Sequence, residues 1–349
     1  CRYCSSAPTV TTPQQRVQQR FHFRFLAQRF MMHFLVTGGA GFIGSNLVEG
    51  LLSKGYAVRV LDNLSTGRRD NLMESANKIE FIEGDIRSYH IVREAMEGVD
   101  VVLHQAALPS VPRSVHDPIT SNDVNVMGSL NVLHAAKEAR VRRVVYASSS
   151  SVYGDTPELP KHEGMSPNPL SPYAVSKFAA EQYCRVFALV YGLETVSLRY
   201  FNVFGPRQDP GSQYSAVIPK FITAMLNNSQ PIIYGDGEQT RDFTYVANVV
   251  QSNILAATAS CESGIAMNCA CHGRVSLNEL VMKINQILGR DIRPIYKDPR
   301  KGDIKHSFAA IDRAKKAIGY TPSVEFDSGL RKTIQWYAET QRLLTNAAE

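Results

Sequence analysis

Thr37-Gly38-Gly39-Ala40-Gly41-Phe42-Ile43-Gly44 follows a short apolar run, Phe34-Leu35-Val36, and leads into residues 44–53, which have helical character. Glycines at 38, 41 and 44 allow a tight turn and close backbone approach to a ligand. A helix starting there aims its free N–H groups at a phosphate. A glycine pattern alone is a weak signal. This one stands between strand and helix, and Asp62 follows about eighteen residues past Gly44, after the apolar run 57–61. An acid at that point accepts hydrogen bonds from both ribose hydroxyls of a dinucleotide and repels a 2′-phosphate, so the pattern predicts NAD over NADP. Arg68 and Arg69 argue the other way but lie further into the loop and read as solvated charge. Asp85 and Ile86, after the third apolar run, are placed to meet an adenine, and Asp85 also suits a helix N-cap.

Outward from this turn the chain alternates strands and helices. Apolar runs at 79–82, 99–104, 144–147 and 195–199 predict further strands, and residues 124–139 and 172–191 predict helices. Apolar strands separated by helices predict an α/β fold of Rossmann type, a doubly wound parallel sheet covered on both faces. After about residue 200, prolines and glycines punctuate shorter elements, with helices expected at 216–227, 277–288, 312–318 and 327–340. The organisation expected is a dinucleotide-binding domain over 32–200, to which some later segments return, and a smaller C-terminal α/β substrate-binding region over 201–345.

A second constellation lies about 135 residues after the glycine turn. Ser149 ends the fifth predicted strand within the run Ser148-Ser149-Ser150-Ser151-Val152-Tyr153-Gly154. Tyr173 and Lys177 follow at helical i, i+4 spacing and share a face. A free phenol, with a pKa near ~10, is a poor base at neutral pH. A neighbouring ammonium and a positive nicotinamide favour the phenolate. Tyr-x-x-x-Lys alone occurs by chance on helix surfaces. Its place after a strand end at the carboxyl edge of a parallel sheet predicts hydride-transfer chemistry on a carbinol, with Tyr173 as base.

The net charge of +6 is concentrated outside this fold: residues 1–31 hold five arginines and no acid, leaving +1 for the remainder. Nucleic-acid binding is not indicated. That basic segment resembles an organelle transit peptide in composition. The plainer reading is an extraneous or disordered tail, and it is set aside from the fold. No apolar run approaches a membrane span. Of six cysteines, Cys269 and Cys271 precede His272, but the spacing matches no tetrahedral zinc site. No metal is expected, and the thiols read as small buried groups of a reducing compartment.

Taken together, these motifs resemble the extended short-chain dehydrogenase/reductases, and within them the nucleotide-sugar 4-epimerases of the UDP-galactose 4-epimerase type. The likeness covers essentially residues 32–340. It includes the glycine turn, Asp62-Asn63, His104-Gln105-Ala106-Ala107, the serine run, Tyr-x-x-x-Lys, residues 199–207 (RYFNVFGPR), 237–242 (GEQTRD) and Arg300-Lys301-Gly302-Asp303. The resemblance implies Ser149, Tyr173 and Lys177 as catalytic residues. It implies NAD contacts at Gly38, Gly41, Phe42, Ile43, Gly44, Asp62, Asn63, Asp85, Ile86, Gln105, Ala106, Ala107, Asn125, Tyr173, Lys177, Tyr200 and Val203. The substrate contacts implied are Ser110, Ser149, Ser150, Tyr173, Asn202, Ala216, Val217, Arg241, Arg300, Asp303 and Ser307. Asn202, Arg241 and Arg300 would hold the UDP diphosphate and Asp303 the uridine ribose. Tyr173 would take the sugar 4-OH proton as the C4 hydride moves to NAD. The 4-keto sugar would then turn and recover hydride on its other face.

The expected substrate is a UDP-hexose. Ser150 and Ser151 stand where related dehydratases carry an Asp-Glu pair and where uronate decarboxylases carry Glu at the second place, leaving plain epimerisation. Ser307 matches the position where a bulky tyrosine excludes N-acetylated sugars. The small serine favours UDP-N-acetylglucosamine and UDP-N-acetylgalactosamine, with UDP-glucose/UDP-galactose as a further pair. A UDP-glucuronate 4-epimerase, with Arg113 or Lys220 near C6, and an NADH-releasing oxidoreductase remain open. A cytoplasmic homodimer is expected, its helices pairing through apolar positions such as Val126, Leu130 and Leu133.

Overall fold

The computed structural model describes residues 31–211, 216–299 and 305–346. The expected basic tail, but for its last residue Met31, lies outside them. In chain order the first part runs β1 (His33–Thr37), α1 (Phe42–Ser53), β2 (Ala57–Asp62), β3 (Glu80–Glu83), α2 (Tyr89–Ala95), β4 (Val101–His104), α3 (Val111–His116), α4 (Pro118–Asn122), α5 (Gly128–Glu138), β5 (Arg143–Ser149), α6 (Pro172–Tyr191) and β6 (Glu194–Tyr200). The second part runs β7 (Val203–Phe204), α7 (Val217–Leu226), β8 (Ile232–Tyr234), β9 (Thr240–Arg241), β10 (Thr244–Tyr245), α8 (Val246–Thr258), β11 (Ile265–Cys269), β12 (Val275–Ser276), α9 (Leu277–Leu288), β13 (Ile295–Lys297), α10 (Asp312–Ile318) and α11 (Phe326–Asn346).

Seven strands form one sheet in the order β11-β6-β5-β4-β1-β2-β3, and every pairing in it is parallel. This is the predicted Rossmann-type doubly wound sheet, extended by one strand at β11. The order reverses between β1 and β4, so the crevice outside their carboxyl ends is where a ligand belongs. Side-chain alternation along β1 divides the core. Phe34 and Val36 pack with Leu47 and Leu51 of α1 and Val249 and Ile254 of α8. Leu35 packs on the other face with Leu133 of α5 and Phe187 of α6. A separate cluster, including Phe204, Phe221, Ile233, Leu280 and Leu330, holds the C-terminal part together.

Local sequence explains the elements that matter most for the site. Ser171 caps α6 by accepting the Ala174 N–H at 3.1 Å, and Pro172 takes the first helical position. Tyr173 is thereby held in the first turn. Gly192, in the left-handed region at φ 69°, ends the helix. In α9, Ser276 and Glu279 form a reciprocal capping box.

Two expectations need correction, and two elements were not foreseen. The helix predicted over 124–139 is only part of a longer helical path. That path enters through α4, passes a π turn at Asp123–Met127 and becomes α5. The π turn accommodates Asn125, whose buried amide bonds elsewhere (below). α8 and β11 escaped the sequence reading: α8 is rich in β-branched residues, and β11 carries buried Asn268 in a short run. Finally, α11 extends to Asn346, past the expected end at 340. Among the described residues no helix is long and apolar enough to cross a membrane.

Candidate active site

The glycine turn leaves β1 at Thr37 and enters α1 at Phe42. Its closeness to neighbours explains the glycines. A Cβ on Gly44 would lie 2.1 Å from the Gly38 carbonyl oxygen, and one on Gly38 would lie 2.7 Å from the Ala106 nitrogen. Gly38 also has φ +69°. The first turn of α1 has no side-chain cap and no acid, so its N–H groups and positive dipole end are left for a ligand phosphate. Phe42 and Ile43 are half-buried beside it.

At the carboxyl end of β2, Asp62 is 7% exposed. It accepts the Ala40 N–H at 2.9 Å and the Leu64 N–H at 2.8 Å, and burial raises its carboxyl above the ordinary value. Each oxygen keeps a lone pair for a ribose hydroxyl. Asn63 donates to Asp85 at 2.8 Å, and the Arg87 guanidinium holds the Asp85 carboxyl down at about 2. Ile86 is buried next to it. Arg69 pairs with Glu83 and Arg68 approaches Asp70, so both loop arginines face acids of their own. A bare helix start, a turn in which added carbon would fill the space and a carboxylate beyond it together suit a dinucleotide.

Behind the turn, burial pushes His104 down to about 3, so its ring is neutral. His104 Nδ1 lies 2.7 Å from Thr37 Oγ1 and Nε2 lies 2.8 Å from Ser129 Oγ, which donates to the Asn125 carbonyl at 2.6 Å. Since Ser129 spends its hydrogen there, the imidazole donates to it from Nε2 and accepts from Thr37. Thr37 also accepts the Ala106 N–H at 3.3 Å. This chain ties Gln105-Ala106-Ala107 to the glycine turn. Gln105 in turn accepts from Tyr200 at 3.2 Å, and Val203 lies half-buried in β7.

The expected catalytic residues lie about the end of β5 and the start of α6. Burial raises the Tyr173 phenol above its ordinary value, and the neighbouring Ser149 hydroxyl partly offsets that push. Ser149 Oγ also accepts from Ser151 Oγ at 2.9 Å and from the Ser151 N–H at 3.2 Å. Half-buried Ser150 opens that 3-10 turn. Lys177 is 4% exposed, and burial brings its ammonium down to about 8. Its Nζ donates to the Ala147 carbonyl at 2.9 Å. The Lys177 ammonium, one helical turn from Tyr173, is held on this β5 carbonyl. Asn125 accepts the Leu108 N–H at 2.8 Å and donates to Ser176 at 3.0 Å, which fixes the turn of α6 beside Lys177.

The expected substrate contacts are spread over several segments. Ser110 has φ 101° and caps α3, Asn202 has φ 33°, and exposed Ala216 precedes Val217 at the start of α7. Asn202 Nδ2 donates to the Asp242 carbonyl at 3.3 Å. Arg241 is anchored on the Lys305 carbonyl at 3.3 Å, and the Ser307 N–H bonds the Thr240 carbonyl at 3.0 Å. Arg300 and Asp303 lie outside the described residues. Asp242 ends the 237–242 motif but received no role from the sequence. It is fully buried, burial raises its carboxyl to about 6, and it accepts the Cys271 and Ala309 N–H groups. It thereby binds the Arg241 and Ser307 segments together. Ser114 accepts the Tyr173 N–H at 2.9 Å, a role that the sequence pattern did not assign. Cys269, Cys271 and His272 are engaged with Ser252, Asn248 and the Ala309 carbonyl.

The sequence profile of the NAD dependent epimerase/dehydratase family matches residues 34–270. The chain belongs to this family. A UDP-glucose 4-epimerase of Mycolicibacterium smegmatis is 39% identical over 310 residues, covering 88% of this chain and 98% of that relative. The solved UDP-N-acetylglucosamine 4-epimerase from Methanobrevibacter ruminantium M1, in complex with UDP-N-acetylmuramic acid, matches with TM-score 0.85 and 41% identity, over 89% of this chain and 99% of that one. A Thermus thermophilus UDP-glucose 4-epimerase in complex with NAD matches with TM-score 0.80 and 37% identity, over 88% of this chain and 99% of that one. These homologues are UDP-sugar 4-epimerases, an isomerase activity. NAD is the cofactor of this family member, and the glycine turn with Asp62 suits it.

Proposed function

We propose that this chain is an NAD-retaining UDP-sugar 4-epimerase that interconverts UDP-N-acetylglucosamine and UDP-N-acetylgalactosamine and also accepts UDP-glucose and UDP-galactose. The observation that carries the reaction type is Tyr173 and Lys177 on one face of α6, with Lys177 bonded to the Ala147 carbonyl of β5, the strand that ends in Ser149 at the carboxyl edge of the sheet. When bound, NAD supplies a reversible hydride acceptor for the sugar C4. Tyr173 takes the 4-OH proton and returns it, and Ser149 steadies the phenol through its hydroxyl. Asn202 and Arg241 hold the diphosphate, so the 4-keto sugar can turn about an anchored end. Preference for acetylated sugars rests on Ser307, a small half-buried residue held against β9 next to Arg241.

The test is incubation of the purified protein, without added cofactor, with UDP-N-acetylglucosamine, UDP-glucose and UDP-glucuronate, reading C4 configuration by NMR. Conversion of the first is expected. Turnover of the glucuronate alone, or activity only with added NAD and accumulation of NADH, would overturn the reading. Ser307→Tyr is expected to lower kcat/KM for the acetylated sugar by about 10- to 100-fold and to spare UDP-glucose, since a pocket filled by a ring rejects the larger substrate. Equal loss for both sugars would remove Ser307 from the pocket.

The same reading includes a homodimer. On α6, Val175, Tyr183, Val186 and Val190 form an exposed apolar stripe, at 52%, 38%, 43% and 65%, with Met127 at 48% nearby. Such stripes on soluble folds mark interfaces. Leu133, expected there, is fully buried in the core. Sedimentation velocity is expected to give a dimer for the wild type and a monomer for Val186→Glu. A monomeric wild type at micromolar concentration would sink the idea.

A further inference from the structure

Directly behind the reacting groups lies a buried ion pair that proton transfer does not use. Glu181 stands four residues beyond Lys177 and eight beyond Tyr173 on α6, on the same face. Glu181 and Arg199 are 3% and 4% exposed. Glu181 Oε1 accepts from Arg199 Nη2 at 2.6 Å, and Oε2 accepts from Arg199 Nε at 3.0 Å and from Ser148 Oγ at 2.6 Å. Ser148 and Arg199 are register partners across β5 and β6, and the guanidinium lies 4.8 Å from the centre of the Tyr153 ring. Three pieces of the site therefore converge on one carboxylate. They are the helix bearing Tyr173 and Lys177, the strand end bearing Ser149, and the strand that runs on to Tyr200 and Asn202.

A carboxylate four residues from a lysine on a helix ordinarily pairs with it. Here Arg199 occupies both carboxylate oxygens, and the Lys177 ammonium rests instead on the Ala147 carbonyl. Burying such a pair is weak support for stability when measured against an apolar replacement, so its presence calls for another role. We infer that Arg199 and Ser148 are positioning residues: they hold Glu181 away from Lys177 and fix the Ser149 hydroxyl opposite the Tyr173 phenol. Without Arg199, Glu181 is left buried without its guanidinium, and the cations one turn away on its own helix are Lys177, which is buried, and Arg185, which is exposed. Capture of the buried Lys177 ammonium would draw it one turn along the helix, off the Ala147 carbonyl and away from Tyr173, and small displacements of reacting groups are costly in rate.

The inference rests on Tyr173 and Lys177 serving the reaction, so Tyr173→Phe is measured in parallel. If that variant keeps full kcat, the site assignment fails independently of the ion pair. The decisive set is Arg199→Met, Glu181→Gln and the double variant. We expect Arg199→Met to lower kcat about 100-fold, with KM for the UDP-sugar and the NAD content of the purified protein unchanged. The double variant should regain at least ten-fold of that loss, because a neutral amide at position 181 no longer draws Lys177. Equal impairment of the single and double variants, or parallel loss of kcat, NAD content and melting temperature, would reduce the pair to a structural brace. Should Arg199→Met fail to fold, Arg199→Gln with and without Glu181→Gln gives the same comparison, because a neutral amide keeps a polar partner but supplies no charge to the carboxylate.

Discussion

Tyr173→Phe is expected to lower kcat for C4 epimerisation about 10³-fold, in the range that a positioned general acid–base group contributes. The change removes one oxygen. It leaves α6 capped by Ser171 and leaves the Ser149 hydroxyl still engaged by Ser151. Lys177 keeps its bond to the Ala147 carbonyl. UDP affinity by calorimetry, NAD released on acid denaturation and the melting temperature should therefore stay close to wild type. That pattern separates a lost base from a damaged site. A fall of less than about ten-fold would mean that another group takes the proton, and Ser149 would be the first to examine.

Gly44→Ala is expected to yield protein that purifies with little or no NAD and is correspondingly inactive. The obstacle is rigid: the new Cβ would meet the Gly38 carbonyl oxygen at 2.1 Å and the Gly39 Cα at 2.7 Å. Both are backbone atoms, so the turn itself must move. Displacing it also disturbs the Thr37–His104–Ser129 chain behind it. Gly55→Ala is the matched control. Gly55 has φ +79° but nothing within 4 Å of its added carbon, so it tests backbone strain alone, about 1 kcal/mol. NAD content, read as acid-released nucleotide per protein, should collapse for Gly44→Ala and hold for Gly55→Ala. Equal NAD content in the two variants would show that the turn does not grip the cofactor.

The parts of this fold legible in the sequence are those in which local pattern and tertiary role agree. Apolar runs such as 101–104 sit in the middle of a sheet covered on both faces, so periodicity and burial point the same way. Helix α6 announces itself through Ser171-Pro172 at one end and Gly192 at the other. β11 and α8 stayed hidden because their identity is set by partners far away: Ile265–Cys269 becomes a strand by lying along β6, and Asn268 is buried there because Tyr153 and two carbonyls satisfy it. The site divides similarly. Glycines and Tyr-x-x-x-Lys are local patterns. Ser114, Asp242 and the Glu181–Arg199 pair act through contacts between segments distant in the chain, which spacing does not encode.

The placement of β11 has a consequence for how the chain is made. During synthesis the strands from β1 through β6 emerge while residues 265–269 are still unmade, so β6 presents an open hydrogen-bonding edge to its surroundings. An unpaired edge invites intermolecular pairing. α8, which covers one face of β1, is also late. The nucleotide-binding half is thus completed by its own C-terminal portion, and a nascent chain stalled near residue 200 would resemble an aggregation-prone intermediate more than a finished domain.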